Sequence, residues 1–542
     1  MRIWLSYKAE GYRIEPGPLQ GRGQVPGCYC EALLKVLRLL VVALVSFALN
    51  APLARAQSPD LPSLGEAGAE DLPPAIERRL GEQIMLQVRR DPSYLADPES
   101  TEYLNNLGYR LVSVSPSRSL DFVFFIIRDP MLNAFALPGG FIGVHTGLVI
   151  TSQSESELAS VLGHEIGHVT QRHIARMIAK QKESTAMAIG ALLLAILAAR
   201  AGGSSSGDLT QAAILGSQAA IVQQQLNFSR EAEREADRVG FQTLVEAGFD
   251  GRGMEGFFAR MQAGTRIYEG TAPAYLRTHP MTVERISDMQ NRTRSLPFKQ
   301  RADSLEFQLI RARLRVLQET TTQGWRDALE YFNGQINNRT THAEYAARYG
   351  AAVAALKLNL AEVALQNALA ARRLAPGSSV ILDKVVVEAR FAAARDDAAR
   401  DEAIKLAQEN AARHPLSGMA AHHYVDLLLK TNRHQEAITF LRNQDAISRS
   451  QPAYHALLGR AYEALNRRTL HHQAVGEMYA LFGAVAPAIQ QLEMARQAND
   501  GDFYTMSEID ARLRDLRAQF KREQELLRES GRASPDQGKS GR

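Results

Sequence analysis

The segment Glu157-Leu-Ala-Ser-Val-Leu-Gly-His164-Glu165-Ile-Gly-His168 decides how this chain is interpreted. Its apolar residues recur at helical spacing, so the segment is predicted to be an α-helix. Residues four apart lie on one helix face, which lets His164 and His168 bind the same metal ion. Glu165 follows the first histidine, where its carboxylate can take a proton from a metal-bound water. The spacing therefore predicts a catalytic metal site, with zinc as the expected ion.

A catalytic zinc needs one more ligand, because such sites use three protein ligands and a water. With no cysteine expected in the mature chain, the candidates are His, Asp and Glu. The richest acidic stretch downstream is residues 231–237, Glu-Ala-Glu-Arg-Glu-Ala-Asp. Helical geometry alone does not choose among Glu231, Glu233 and Glu235. The alternative interpretation is a solvated helix face on which these carboxylates pair with neighbouring arginines.

The charge balance argues against a nucleic-acid partner. The chain has 542 residues, enough for two or three domains, with 63 Lys and Arg against 59 Asp and Glu. Residues 1–56 contain seven of the basic and three of the acidic side chains, which is the whole net excess of +4. The remainder carries no net charge, so nothing favours binding to a polyanion.

Residues 1–56 are predicted to be an N-terminal extension and a signal peptide. Lys35 and Arg38 precede an apolar run over 39–49, and Ala54-Arg-Ala56 supplies the small residues of a cleavage site. An uncleaved N-terminal anchor is the alternative. Both cysteines, Cys28 and Cys30, lie before the predicted cut, which excludes disulfides and thiolate zinc sites from the mature protein.

The mature chain is predicted to begin with an α+β domain that is mostly helical. Residues 57–72 are expected to be a flexible lead-in, and residues 73–304 the metallopeptidase domain, with a small sheet. Strand-like runs cover 120–127 and 134–144, the second broken by a turn at Leu137-Pro-Gly-Gly140.

An apolar helical hairpin is predicted over residues 186–226. Its apolar run, 186–199, is too short to cross a bilayer comfortably. The hairpin is therefore either a buried core element or an exposed lid that makes peripheral contact with a membrane.

Residues 305–500 are predicted to be tetratricopeptide-like helical repeats in an all-α domain. Pro376, Pro415 and Pro452 interrupt the helices at intervals of 39 and 37 residues. The alternative is an ordinary helical bundle. Residues 501–542 are predicted to contain a charged helix, starting at a Ser507-x-x-Asp510 capping pattern, and a disordered tail.

Four motifs resemble those of the HtpX-type zinc metallopeptidases, and within them the BepA-like branch of periplasmic β-barrel assembly-enhancing proteases. They are Asn133-Ala-Phe-Ala-Leu-Pro-Gly-Gly140, the segment 157–168, Glu233-Arg-Glu-Ala-Asp237 and Thr278-His279-Pro280. The likeness covers roughly residues 75–300 with specific motifs and the repeats more loosely.

The resemblance implies roles for particular side chains. Glu233 matches the third zinc ligand and Asp237 the proton donor of the family. His279 matches a regulatory fourth ligand, and Arg285 the arginine that follows it. The residues expected to form an edge strand that pairs with extended substrate are Asn133, Ala134, Phe135 and Ala136.

The function implied by the resemblance is that of a periplasmic zinc-dependent endopeptidase. One zinc ion is expected per chain. The protein is also expected to be a chaperone-like factor in the assembly and quality control of outer-membrane proteins. Its expected partners are unfolded or misassembled outer-membrane proteins and the barrel-assembly machinery. The alternative is a non-catalytic helical-repeat scaffold in envelope assembly.

Overall fold

A computed structural model describes residues 72–116, 120–179, 229–267, 274–297, 301–444 and 449–530. The predicted signal peptide, nearly all of the predicted lead-in, the predicted apolar hairpin and the last twelve residues lie outside the described residues.

A three-stranded sheet stands near the start of the described chain, as the strand-like runs predict. Its strands are β1, Val123–Ile127; β2, Ala134–Leu137; and β3, Phe141–His145. The order is β1-β3-β2, with β1 parallel and β2 antiparallel to the central β3. The predicted turn joins β2 to β3 through Gly139 and Gly140, whose φ angles of 77° and 91° favour glycine. The strand β2 therefore forms one edge of the sheet.

Helices surround this sheet. Among the described residues, two helices precede it: α1, Pro74–Val88, and α2, Pro98–Val112. The described helices that follow it, up to residue 297, are α3, Thr146–Thr151; α4, Glu155–Thr170; α5, His173–Ala179; α6, Arg230–Glu246; α7, Arg252–Ile267; α8, Ala274–Thr278; and α9, Val283–Arg294. The mostly helical α+β class predicted for this part is confirmed.

The rest of the described chain is entirely helical. Its helices are α10, Leu305–Leu317; α11, Thr322–Asn337; α12, Glu344–Lys357; α13, Ala361–Leu374; α14, Val380–Ala393; α15, Asp397–Arg413; α16, Gly418–Lys430; α17, His434–Arg442; α18, Pro452–Ala464; α19, Arg468–Leu481; α20, Val485–Gln497; and α21, Phe503–Ser530. Successive helices from α11 onward pack against each other, as expected of helical repeats.

Asparagines in the left-handed conformation mark several turns between these helices. Asn432, Asn466 and Asn499 have φ between 55° and 59° and stand 34 and 33 residues apart. Asparagine tolerates this conformation and ends helices in it. A period close to 34 residues is typical of tetratricopeptide repeats.

The charged helix near the C-terminus begins earlier than its sequence suggested. It starts at Phe503, because Asp502 accepts a hydrogen bond from the Thr505 amide at 2.7 Å. Ser507 lies inside the helix and donates to the Phe503 carbonyl at 2.8 Å. The predicted capping role of Ser507 is therefore wrong.

A single hydrophobic core crosses the predicted domain boundary at 304/305. It includes Leu104 of α2 and Leu162 of α4 on one side, and Leu309 of α10 and Val353 of α12 on the other. The repeats thus share buried apolar surface with the part of the chain that contains the predicted metal site.

Candidate active site

Helix α4 lies at the centre of the site and is buried along its whole length. Ser154 caps its start by accepting a hydrogen bond from the Glu157 amide at 3.2 Å. Gly163 and Gly167 let α6 come into backbone contact, since an added Cβ would lie within 2.9 Å of a carbonyl oxygen of α6. This close approach brings the acidic residues of α6 opposite the two histidines.

Four side chains converge on one point, as a metal site requires. His164 Nε2 lies 2.9 Å from His168 Nε2 and 3.3 Å from His279 Nδ1. The Glu233 carboxylate lies 3.5 Å from His164 Nε2 and 3.4 Å from His168 Nε2. One potential ligand atom from each of the four residues falls within a group no wider than 4.8 Å. All four are buried.

The structure distinguishes the three glutamates among which helical spacing could not choose. Of the three, Glu233 is the one that reaches the cluster histidines His164, His168 and His279. Glu231 is exposed and pairs with Arg234 at 3.2 Å, which fits the solvated-face interpretation. Glu235 turns to His173, at 3.0 Å, and to Arg176, at 2.7 Å.

Asp237 lies one helical turn after Glu233, and its carboxylate is fully engaged. It receives two hydrogen bonds from Arg285, at 2.6 and 2.8 Å, and its Oδ1 lies 2.8 Å from His164 Nδ1. Burial opposes ionisation, but Arg285 outweighs it and holds the pKa of Asp237 below its usual value. In this structure its carboxylate is held as an acceptor by Arg285 and lies against His164. Its expected role as proton donor stays a prediction. The geometry assigns it to orienting His164.

Arg285 gains a role that its place in the sequence did not reveal. Its Nη1 lies 2.7 Å from Glu233 Oε2, so one buried guanidinium joins the carboxylates of Glu233 and Asp237. The same Nη1 donates to the Pro280 carbonyl at 2.8 Å, which fixes the loop that carries His279. The pKa of Arg285 is raised, with the Asp237 carboxylate overcoming the effect of burial.

Glu165 is completely buried beside the cluster. Its Oε1 lies 3.5 Å from His279 Nε2. Burial raises the pKa of the Glu165 carboxyl, although His279 opposes the shift. A raised pKa brings a carboxylate closer to the value that suits a general base.

His279 is held between two carboxylates. Its Nδ1 lies 3.1 Å from Glu233 Oε1, and its ring stacks on Tyr275 with centroids 4.6 Å apart. Burial disfavours the charged imidazole, but Glu233 and Glu165 outweigh it and raise the pKa of His279. Among the described residues, the buried hydroxyl of Tyr275 has no hydrogen-bond partner.

The surroundings of the two helix histidines suit metal ligands. His164 Nδ1 lies 2.8 Å from Asp237 Oδ1, and its other nitrogen, Nε2, faces the cluster. Burial holds the pKa of His168 well below its usual value, so that ring is neutral as a metal ligand must be. A neutral ring also suits the 2.9 Å approach of the two Nε2 atoms, which a shared cation would stabilise.

The charges of the site also fit a divalent cation. If His279 is neutral, as a metal ligand must be, the ionised carboxylates of Glu165, Glu233 and Asp237 carry three negative charges, and Arg285 offsets one of them. The remaining two are matched by one divalent ion, and such uncompensated charge is costly in a buried site. The donor set, imidazole and carboxylate without thiolate, is that of catalytic zinc.

His145 and His173, two further buried histidines, have different surroundings. His145 lies 3.6 Å from Asp129 and packs edge-on against Phe135. His173, by contrast, lies 2.8 Å from His168. No sequence motif signals this contact, because His173 begins a new helix after a turn at Arg172, whose φ is 53°.

The predicted substrate strand is the edge strand β2 and packs against α4. It holds Ala134, Phe135 and Ala136. Asn133 precedes it, and its carbonyl accepts a hydrogen bond from the His145 amide at 3.0 Å.

No helix within the described residues has both the length and the apolar character needed to cross a membrane.

Comparisons with known proteins agree with this geometry. The profile of peptidase family M48 matches residues 98–293, which include all four cluster residues. The β-barrel assembly-enhancing protease of Escherichia coli K12 is 32% identical over 90% of this chain and 98% of its own length. A Vibrio cholerae protein, named as a candidate β-barrel assembly-enhancing protease, is 41% identical over 47% of this chain and 52% of its own length.

Among solved structures, the human IFIT1 dimer aligns with 70% of this chain and 74% of its own, at 15% identity and a TM-score of 0.27. Family membership rests on the sequence relatives. The chain is a zinc metalloprotease of peptidase family M48 and belongs with the β-barrel assembly-enhancing proteases.

Proposed function

We propose that this enzyme is a periplasmic endopeptidase that cleaves unfolded or misassembled outer-membrane proteins and assists their assembly. The observation that carries the proposal is the convergence of His164, His168 and Glu233 beside Glu165 in one buried site. The name of the E. coli relative, which aligns over nearly its full length, supports the substrate class. Export through the predicted signal peptide would bring the enzyme to the compartment where such substrates occur.

In the proposed reaction, His164, His168 and Glu233 would hold zinc, and Asp237 would orient His164. When bound, zinc would supply a Lewis acid that activates water and polarises the peptide carbonyl. Glu165 would take the proton of the attacking water, and Glu165 or Asp237 would return a proton to the leaving amine. Arg285 holds the Asp237 carboxylate in place beside His164.

The edge strand β2 is the proposed binding site for extended substrate. A strand edge can bind any unfolded chain through main-chain hydrogen bonds, with little demand on sequence. Because β2 packs against α4, a peptide added to it would run close to Glu165. This suits an enzyme whose substrates are recognised by being unfolded.

The helical repeats are the proposed chaperone-like surface and the docking surface for the barrel-assembly machinery. Stacked helix pairs offer an extended surface for protein partners. Peripheral membrane contact through residues 186–226 is part of the same proposal. It rests on the apolar sequence of that segment.

His279 is proposed to be a fourth ligand that keeps the site latent. Its contacts with Glu233 and Glu165 support this role, since a side chain bound there competes with the attacking water. Release of the loop that carries His279 would open the site.

The test is proteolysis of casein and of a denatured outer-membrane barrel by the full mature chain. We expect Glu165→Gln to lower the rate by about 100- to 10,000-fold, the usual contribution of a general base. Zinc content should stay unchanged, because Glu165 is not a proposed ligand. The matched control is Glu231→Gln on the exposed face of α6, which should cleave like the wild type. Undiminished cleavage by Glu165→Gln would remove Glu165 from the reaction.

His279→Ala extends the same experiment. We expect it to cleave both substrates several-fold faster than the wild type. An unchanged or lower rate, with zinc still bound, would contradict the latent state.

A further inference from the structure

His173 is a buried histidine that the proposed reaction does not use. It is the first residue of α5 and is 3% exposed. Its Nδ1 lies 2.8 Å from Nδ1 of His168, and its Nε2 lies 3.0 Å from Glu235 Oε2. Both ring nitrogens are therefore engaged, one by a proposed zinc ligand and the other by a carboxylate.

The direction of these hydrogen bonds follows from Glu235. Arg176 lies 2.7 Å from the same carboxylate oxygen, which favours the ionised form. An ionised carboxylate only accepts, so Nε2 of His173 is the donor. In a neutral ring the other nitrogen, Nδ1, then carries the lone pair. It can only accept, so Nδ1 of His168 donates to it.

This arrangement places the remaining lone pair of His168 on Nε2. That atom faces His164 Nε2 and Glu233 Oε1, at 2.9 and 3.4 Å. The hydrogen bond also fixes the rotation of the His168 ring, because both nitrogens are then engaged. A histidine ligand usually has such a partner on its second nitrogen.

We propose that His173 is a positioning residue that sets the tautomer and orientation of His168 for zinc binding. The proposal rests on the proposed function, in which His168 is a ligand. It gives each helix histidine its own support: Asp237 acts directly on His164, and Glu235 acts on His168 through His173. Helix α6 thus supplies the ligand Glu233 and the two carboxylates that orient the other ligands.

Charge explains why a histidine suits this position. The buried site already holds three carboxylates against one guanidinium. A carboxylate in place of His173 would add a further negative charge beside His168. A neutral imidazole accepts the hydrogen bond from His168 and donates a second one to Glu235. The Glu235 side chain lies nearer the surface, with an exposed fraction of 24%. The relay thus keeps the extra charge away from the metal ligands.

The experiment measures zinc affinity by competition with a chelating dye in the full mature chain. His173→Phe keeps an aromatic ring and removes the acceptor, and we expect the dissociation constant to rise about 10- to 100-fold. His173→Asn retains an acceptor at the position of Nδ1 and should stay within about threefold of the wild type. Glu235→Ala should fall between them, because His173 keeps its place but its tautomer is no longer fixed.

Cobalt supplies a second readout, since its visible absorption reports the ligands around the ion. We expect the cobalt spectrum to change in His173→Phe and to return towards that of the wild type in His173→Asn. The control for replacing a buried histidine is His423→Phe in α16, which should leave zinc affinity and the cobalt spectrum unchanged.

Wild-type affinity in His173→Phe would overturn the proposal. Equal losses in His173→Phe and His173→Asn would also overturn it, because the ring and not its acceptor would then matter. A wild-type chain that binds no zinc would instead contradict the proposed function itself, so the two failures can be told apart.

Discussion

Two buried clusters of ionisable side chains differ in chemistry, and the difference shows which of them can bind a metal. The metal cluster consists of His164, His168, Glu233 and His279. A second cluster, which we call the ionic clamp, joins α2 to the repeat helices α10 and α14. Its residues are Asp97, Glu99, Arg313, Lys384 and Glu388.

In the ionic clamp, the guanidinium and ammonium groups of Arg313 and Lys384 form direct ion pairs with carboxylates. Arg313 lies 2.7 Å from Asp97 and 3.0 Å from Glu99, and Lys384 lies 2.6 Å from Glu99. In the metal cluster, imidazole nitrogens and carboxylate oxygens converge on one point, and a cation can balance their excess negative charge. Burial and charge alone therefore do not mark a metal site, whereas converging lone pairs do.

The largest expected effect tests the ionic clamp. Arg313→Met leaves Asp97 and Glu99 buried with less positive charge, so we expect the free energy of unfolding to fall by about 3–5 kcal/mol. The measurement is urea denaturation followed by circular dichroism. Zinc affinity should not change, since the clamp holds no metal ligand.

The control for this change is Arg400→Met. Arg400 pairs with Asp397 at 2.8 Å, but both side chains are exposed, at 45% and 93%. We expect a loss below about 0.5 kcal/mol, as is typical of surface pairs. If Arg313→Met lowered the free energy of unfolding equally little, water would have to solvate the carboxylates of the ionic clamp.

Zinc removal tests the metal cluster through the same quantity, the free energy of unfolding. When free zinc is 100 times its dissociation constant, binding stabilises the folded protein by about 2.7 kcal/mol. We expect a chelator to abolish that increment in thermal or urea unfolding.

Arg313→Met should keep the full zinc increment, because distant sites contribute additively. Glu165→Gln should keep it as well. An increment that disappears in Arg313→Met would show that the two clusters are coupled, and the comparison between them would no longer hold.

The smallest expected effect is a pH dependence near the clamp. Burial lowers the pKa of His423 to about 3, with Lys384 as the next cause, while Glu388, Asp426 and Lys430 also act on it. Between pH 6.5 and 5, the unfolded chain takes up a proton at this histidine and the folded chain does not. Stability is therefore lost as the pH falls, by up to about 1.4 kcal/mol per pH unit.

The matched variant for this prediction is His423→Gln, whose stability should depend less on pH over the same range. Unfolding is measured with a chelator present, so that zinc-linked protonation does not contribute. Parallel pH profiles for the two proteins would mean that the pKa of His423 is much the same in the folded and unfolded chains.

Helix α4 and its two histidines could be predicted from the sequence because the pattern that indicates them is local. His164, Glu165 and His168 lie within one and a half turns of helix, and helix geometry alone puts the two histidines on one face. The short sheet, its turn and the periodic helices follow from equally local patterns. Glu233 needed the family resemblance, since three glutamates fitted the spacing equally well.

The supporting residues could not be found in this way. Arg285 reaches α6 from α9, and His173 reaches it from α5, contacts that no spacing encodes. The ionic clamp joins residues 216 positions apart, and each of its side chains reads in sequence as an ordinary surface charge. The contacts of Asp237 show the same limit: its motif names the residue, but Arg285 and His164, which lie against its carboxylate, come from other helices.

The sequence by itself determined the helix that carries two metal-binding histidines, the carboxylate beside them and the repeating helical character of the second half. These features depend on neighbours within a few residues. The family resemblance singled out Glu233 as the glutamate of the cluster, and the tertiary structure brings it to the histidines. Only the tertiary structure decided which charged groups surround the site and how the repeats join the catalytic part. Those properties depend on burial and on charges that distant segments bring together, because the electrostatic free energy of a group is set by its surroundings in space.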